Sequence, residues 1–137
     1  MKPLPKSDQA LVVRTDFSDD AAWRAVAAAI REPVNGFFAY VDLVDDRAVE
    51  GATVDQLVEL GADVSKSFLI VADRETMAGA EHTLLVLDVF VDLGRNFRAI
   101  PATIQSIENN LSITNMDFEE FALAADGDGV YRGFPEA

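Results

Sequence analysis

Over its first half the chain alternates between strand-length apolar runs and stretches whose apolar residues recur at helical spacing. Leu11-Val12-Val13-Arg14-Thr15 has the β-branched content of a first strand. Trp23, Val26, Ala27 and Ile30 then fall at i, i+3, i+4 and i+7, which is one face of a helix. Ser18 is placed to cap that helix, with Asp19 and Asp20 in the first turn, where the helix dipole favours negative charge. Pro33 stops it, because the residue before a proline avoids the α region. Phe37 to Val44 reads as a second strand, with Phe37, Ala39, Val41 and Leu43 on one apolar face and Asp42 interrupting the other. Thr53-Val54-Asp55-Gln56 is a capping box opening a short helix that ends at Gly61. Ser67 to Ala72 is a continuous apolar run, as a strand covered on both faces requires.

The second half changes rhythm. Leu84 to Val91 is another apolar run, broken by Asp88, and Gly94 turns it into Asn96-Phe97-Arg98-Ala99-Ile100, the returning arm of a hairpin. Pro101 opens a helix carrying Ile104, Ile107 and Leu111. Asn115 or Asp117 caps a last helix with Phe118, Phe121, Ala122 and Ala125 inward, and Val130-Tyr131-Arg132 can add a small strand. Alternating elements followed by a hairpin predict an α/β fold: a mostly parallel mixed sheet of about five strands, helices packed on its faces, and an antiparallel hairpin at one edge. Residues 1–9 are a polar, proline-marked lead-in expected to be flexible, and 10–137 a single domain.

Composition bounds the chemistry. With no Cys there is no disulfide framework, zinc ribbon or thiol nucleophile. The N-terminus has no apolar core of signal-peptide length and no run approaches the ~20 residues that span a bilayer, so a cytoplasmic protein is expected. Eleven Lys and Arg against 24 Asp and Glu give a net charge of −13, a field that repels phosphate backbones and anionic lipid. Nucleic acid and membranes are therefore not expected partners. From Ala99 to Tyr131 there is no Lys or Arg, while Glu108, Asp117, Glu119, Glu120, Asp126 and Asp128 are acidic. This tract reads either as a solvated face or as a docking surface for a basic protein, with Glu108, Asp117, Glu119 and Glu120 as its contacts.

Candidate sites are few. Asp16, Asp42 with Asp45 and Asp46, and Asp73 stand at or after the first three strands, and open α/β sheets bind ligands beyond their strand ends. If Asp16, Asp42 and Asp73 converge, a hard cation such as Mg²⁺ or Ca²⁺ is needed to neutralise them; the alternative is that they are turn and cap residues. Arg14 and Asp88, charges inside strands, would pair if the sheet joins them. Asp126-Gly127-Asp128-Gly129, aligned on a calcium loop, puts Ala124 and Pro135 where the end ligands belong, so it is a turn. His82 is the only histidine, and the segment after the first strand is acidic where a phosphate loop would be glycine-rich. No catalytic residue is assigned. Phe17, Trp23, Tyr40 and Phe90 are core filling or, alternatively, the lining of a small-molecule pocket.

LVVRTDFSDDAAW (Leu11 to Trp23), HTLLVLDVF (His82 to Phe90), FRAIP (Phe97 to Pro101) and ENNLSITNMDFEEFA (Glu108 to Ala122) together resemble an uncharacterised bacterial family, domain of unknown function 6924. The resemblance runs from about Leu4 to Phe134 and implies a small, free-standing, complete cytoplasmic protein; it carries no activity or cofactor. The expectation is a non-catalytic protein-binding module, monomeric or homodimeric, with an acidic face for a basic partner. Immunity-type inhibitors are one version of it, by analogy of size and charge. The alternative is a divalent-metal enzyme or switch.

Overall fold

Strand β1 (Ala10–Arg14), strand β3 (Phe68–Ala72) and strand β4 (Leu84–Asp88) are buried at every residue, so they must lie inside a sheet covered on both faces. The computed structural model, which describes residues 1–134, puts them there. Residues 135–137 of the expected domain lie outside the described residues. With β2 (Val41–Val44), β5 (Asn96–Ala99) and β6 (Val130–Tyr131) they form one six-stranded sheet in the order β2-β1-β3-β4-β5-β6. β1 runs parallel to β2 and β3, and β6 parallel to β5; β4 alone runs against its neighbours. The mixed, mostly parallel sheet with an antiparallel hairpin is the architecture expected, but the hairpin is not at the edge: β6 is added as a sixth strand outside β5.

Connection length decides direction. α1 (Asp20–Arg31) lies between β1 and β2, and α2 (Val54–Leu60) between β2 and β3, long enough for parallel crossovers. Because β1 sits between β2 and β3, two right-handed crossovers put these helices on opposite faces of the sheet. α3 (Arg74–Ala78) has only five residues, and β4 turns straight back beside β3. α4 (Ile104–Ser112) and α5 (Phe118–Leu123) return the chain from β5 to β6.

Strand alternation divides the interior in two. Val12, Ile70, Val86 and Phe97 meet Trp23, Val26, Ile30, Ile104, Ile107 and Phe121 on one face. Leu11, Val13, Leu69, Val71 and Leu87 meet Leu57, Val49 and Val89 on the other. The lead-in has no regular structure and lies against this second face: Leu4 packs on it, Lys2 Nζ donates to Asp46 at 2.9 Å, and Ser65 Oγ donates to the Ser7 carbonyl at 2.6 Å.

Two local readings are corrected, and one left conditional is decided. Asp19, not Ser18, caps α1 by accepting from the Ala22 N–H, because Ser18 is already bonded through its N–H and hydroxyl to Asp16. The second strand begins at Val41 rather than Phe37. Asn35 and Gly36 take positive φ, and Val34 and Phe37 exchange both main-chain bonds at 2.8 and 2.9 Å, so Phe37 closes a two-residue turn outside the sheet. Arg14 and Asp88 stand at opposite ends of the sheet and do not pair: Arg14 bonds Asp20 and Asp45, and Asp88 bonds Arg95.

Gly61 ends α2 with ordinary α-region dihedrals, so it is not there for its φ. A Cβ at this position would stand 2.7 Å from Val89 Cγ1 and 2.9 Å from Val89 Cβ. Gly61→Ala is expected to destabilise the fold by about 1–3 kcal/mol through overpacking, read as a lower urea midpoint at unchanged slope.

Candidate functional site

β4 ends in Asp88, whose side chain is 3% exposed. Its carboxylate accepts the N–H groups of Phe90 (2.9 Å), Val91 (3.0 Å) and Asp92 (3.0 Å), and Arg95 Nη2 at 3.0 Å. Three successive N–H groups folded round one carboxylate force a tight loop. Val89 turns inward beneath Gly61, while Phe90 and Val91 are left 75% and 76% exposed. Burial works against the charge on Asp88, but the three N–H groups and Arg95 outweigh it and hold the carboxyl below the ordinary aspartate range.

This loop is one wall of a cleft of about 450 Å³. The corner between α4 and α5 is the other wall, with Leu111, Thr114, Met116, Asp117, Phe118 and Glu119. Glu120 reaches back to accept the Asp117 N–H at 3.1 Å, which fixes the start of α5. Arg95 lies across the base with its guanidinium carbon 4.7 Å from the Phe118 ring centre. Its Nη1 is 3.9 Å from Glu119, and its Nε is buried without a partner among the described residues. The lining is mostly apolar and the rim carries Asp117 and Glu119. Such a surface can seat an apolar side chain and meet positive charge around it.

The expected partner contacts divide. Asp117, Glu119 and Glu120 are exposed around this corner. Glu108 is not a surface contact, a correction to the sequence reading: it is 3% exposed and accepts from the Tyr40 N–H (2.7 Å), Asn109 Nδ2 (2.8 Å) and Ser112 Oγ (2.6 Å). It lies on the inward side of α4 beside Ile107 and Leu111.

The expected metal carboxylates are not brought together. Asp16 holds Ser18, Asp42 accepts from Ser7 on the outer strand β2, and Asp73 caps α3 and receives both Arg98 Nη1 and Nη2. Among the described residues no three His, Asp or Glu side chains are grouped to hold a metal ion. The strand ends where β1 meets β3 are covered by main chain, the Thr15 N–H donating to Ala72 and the Gly51 N–H to Thr15. Nor do the four aromatics line one pocket: Trp23 is core, Phe17 stacks on Arg14 at 4.3 Å, and Tyr40 and Phe90 stand on separate loops. Sequence reading missed Val91 and gave Phe90 only as core filling or pocket lining, because both continue an apolar run and so read as strand. The signal was Asp88, an acid at the point where that run has to turn.

Because its folded pKa is lowered, ionised Asp88 stabilises the protein at neutral pH, and this contribution is lost as pH falls through the folded value. Asp88→Asn is expected to cost about 1–3 kcal/mol at neutral pH by leaving buried N–H groups short of acceptors. Urea midpoints of the two proteins are expected to converge as pH falls below the ordinary aspartate range, and a gap that stays constant with pH would refute the assignment.

No curated protein matches the chain. A family model described as Domain of unknown function (DUF6924) matches residues 9–134, nearly the whole chain and every element of the sheet, and the protein therefore belongs to that family.

Proposed function

We propose that this protein is a non-catalytic binding module, and that its cleft takes a basic segment of another protein carrying an apolar anchor. The observation that carries the reading is the β4–β5 loop: a buried carboxylate holds its main chain while Phe90 and Val91 face solvent beside Asp117 and Glu119. Exposed aromatic residues on an already ordered loop bind without a large ordering cost, and such residues dominate interface energies. The net charge of −13 favours a cationic partner through long-range attraction. Inhibition of a basic enzyme, in the manner of immunity proteins, is the version of this role that suits the chain's size and charge. Residence in the cytoplasm belongs to the same reading; among the described residues no helix is long and apolar enough to cross a membrane.

The immobilised protein, exposed to a lysate of its own host at low ionic strength, is expected to retain a basic protein that is released as salt is raised. Phe90→Ser is expected to weaken that complex about tenfold or more, mainly in dissociation rate, and Glu119→Lys to slow association. Retention of the same protein, with the same strength, by both variants would sink the reading.

A further inference from the structure

A second exposed apolar segment leads into the outermost strand, β2, which pairs only with β1. Phe37, Phe38 and Tyr40 are 62%, 50% and 60% exposed. Ala39, Val41 and Leu43 beside them are only half covered by the α1 side of the core. The segment is not loose. The Asn35-Gly36 turn fixes its start, Asn109 Nδ2 donates to the Phe38 carbonyl at 2.9 Å, and buried Glu108 takes the Tyr40 N–H at 2.7 Å. A buried acid is used here, as at Asp88, to hold main chain whose side chains are left in water.

We propose that this face, residues Phe37 to Leu43, is where two copies of the chain associate about a twofold axis. Charge selects the occupant. Residues 33–41 carry no charged side chain in a chain of net charge −13, so two copies can meet there without setting like charges of this segment against each other. Asp42 follows at once, but it is in register with Leu11 of the opposite core and is bonded to Ser7, on the other face of the strand. Exposed rings on one copy can also pair with the same rings on another across a twofold axis, offset or edge-on. Size sets the strength. The exposed parts of the three rings amount to roughly 350 Å² per copy, or roughly 700 Å² for two. Ala39, Val41, Leu43 and the rim of β2 must supply the rest of the ~1,200 Å² at the lower bound of specific interfaces. The result is a weak, reversible dimer. This proposal stands apart from the cleft between the β4–β5 loop and α5.

Sedimentation velocity on the whole chain, from about 5 to 200 µM, is expected to show a monomer–dimer equilibrium in the tens of micromolar. Raising NaCl from about 50 to 300 mM is expected to tighten it, because screening removes repulsion between two anionic copies. Salt acts in the opposite sense on a complex with a basic partner. The double variant Phe37→Ser/Tyr40→Ser is expected to weaken the dimer at least about tenfold while the monomer still folds cooperatively with a melting temperature lowered by only a few degrees, since both side chains are mostly exposed. Phe90→Ser is expected to leave it intact. A chain that stays monomeric at the highest concentration in either salt overturns the proposal. So does a double variant that dimerises like the wild type, or a dimer abolished by Phe90→Ser.

Discussion

Burial of β1, β3 and β4 on both faces is the constraint from which the remaining elements take their places. A strand with no solvent side needs cover above and below, and the chain provides two unequal layers. α1, α3, α4 and α5 cover one face, and Phe97, Phe118, Phe121 and Tyr131 pack edge-on and stacked at its far end. The other face has only the seven residues of α2, so short turns, Leu4 of the lead-in and Val89 of the β4–β5 loop complete it. The thin layer explains why a side chain at Gly61 is costly: Val89 occupies the space a Cβ would need.

Among the described residues two carboxylates, Asp88 and Glu108, go into this interior, and burying a charge is costly unless its oxygens are satisfied. Asp88 is satisfied by three main-chain N–H groups and Arg95, and Glu108 by one N–H group, an amide and a hydroxyl. Each fixes a segment with exposed aromatic residues. The segments leave the sheet at the same end, because Tyr40 precedes β2 while Phe90 follows β4, which runs the other way. α4 links them: Glu108 and Asn109 hold Tyr40 and Phe38, and Leu111 one turn later lines the cleft. Main-chain order is secured from inside, and the apolar side chains face outward.

Arginine keeps so acidic a chain compact. Buried Arg14 binds Asp20 and Asp45, Arg98 binds Asp73 and Glu75, and Arg132 gathers Glu81, Asp126 and Asp128. The Asp126 to Gly129 turn is thus organised by a guanidinium of the chain itself, whose pKa is raised by Glu81, Asp128 and Asp126 together. The pairs whose carboxylates face solvent, as around Arg132, contribute little individually, whereas Arg14 and the Arg98–Asp73 pair are largely covered. Their collective effect is to pin the α3 end of the sheet and to leave Asp117, Glu119 and Glu120 as the part of the acidic tract beside an apolar surface.

Periodicity made most of the fold legible in the amino-acid sequence. Helical spacing at Trp23, Val26 and Ile30, the Thr53 capping box and the unbroken Phe68–Ala72 run each describe a local preference that packing reinforces. Family membership was legible for the same reason, in contiguous stretches of residues. What the tertiary structure alone decided were the contacts between segments far apart in the chain. Glu108 has the same side chain as Glu119, yet one is buried against Tyr40, 68 residues away, and the other meets solvent. Phe37 and Phe90 look like strand residues until a turn and a buried acid remove them from the sheet. Spacing along the chain encodes which face of an element a residue occupies; whether that face meets another element or water depends on where the rest of the chain has gone.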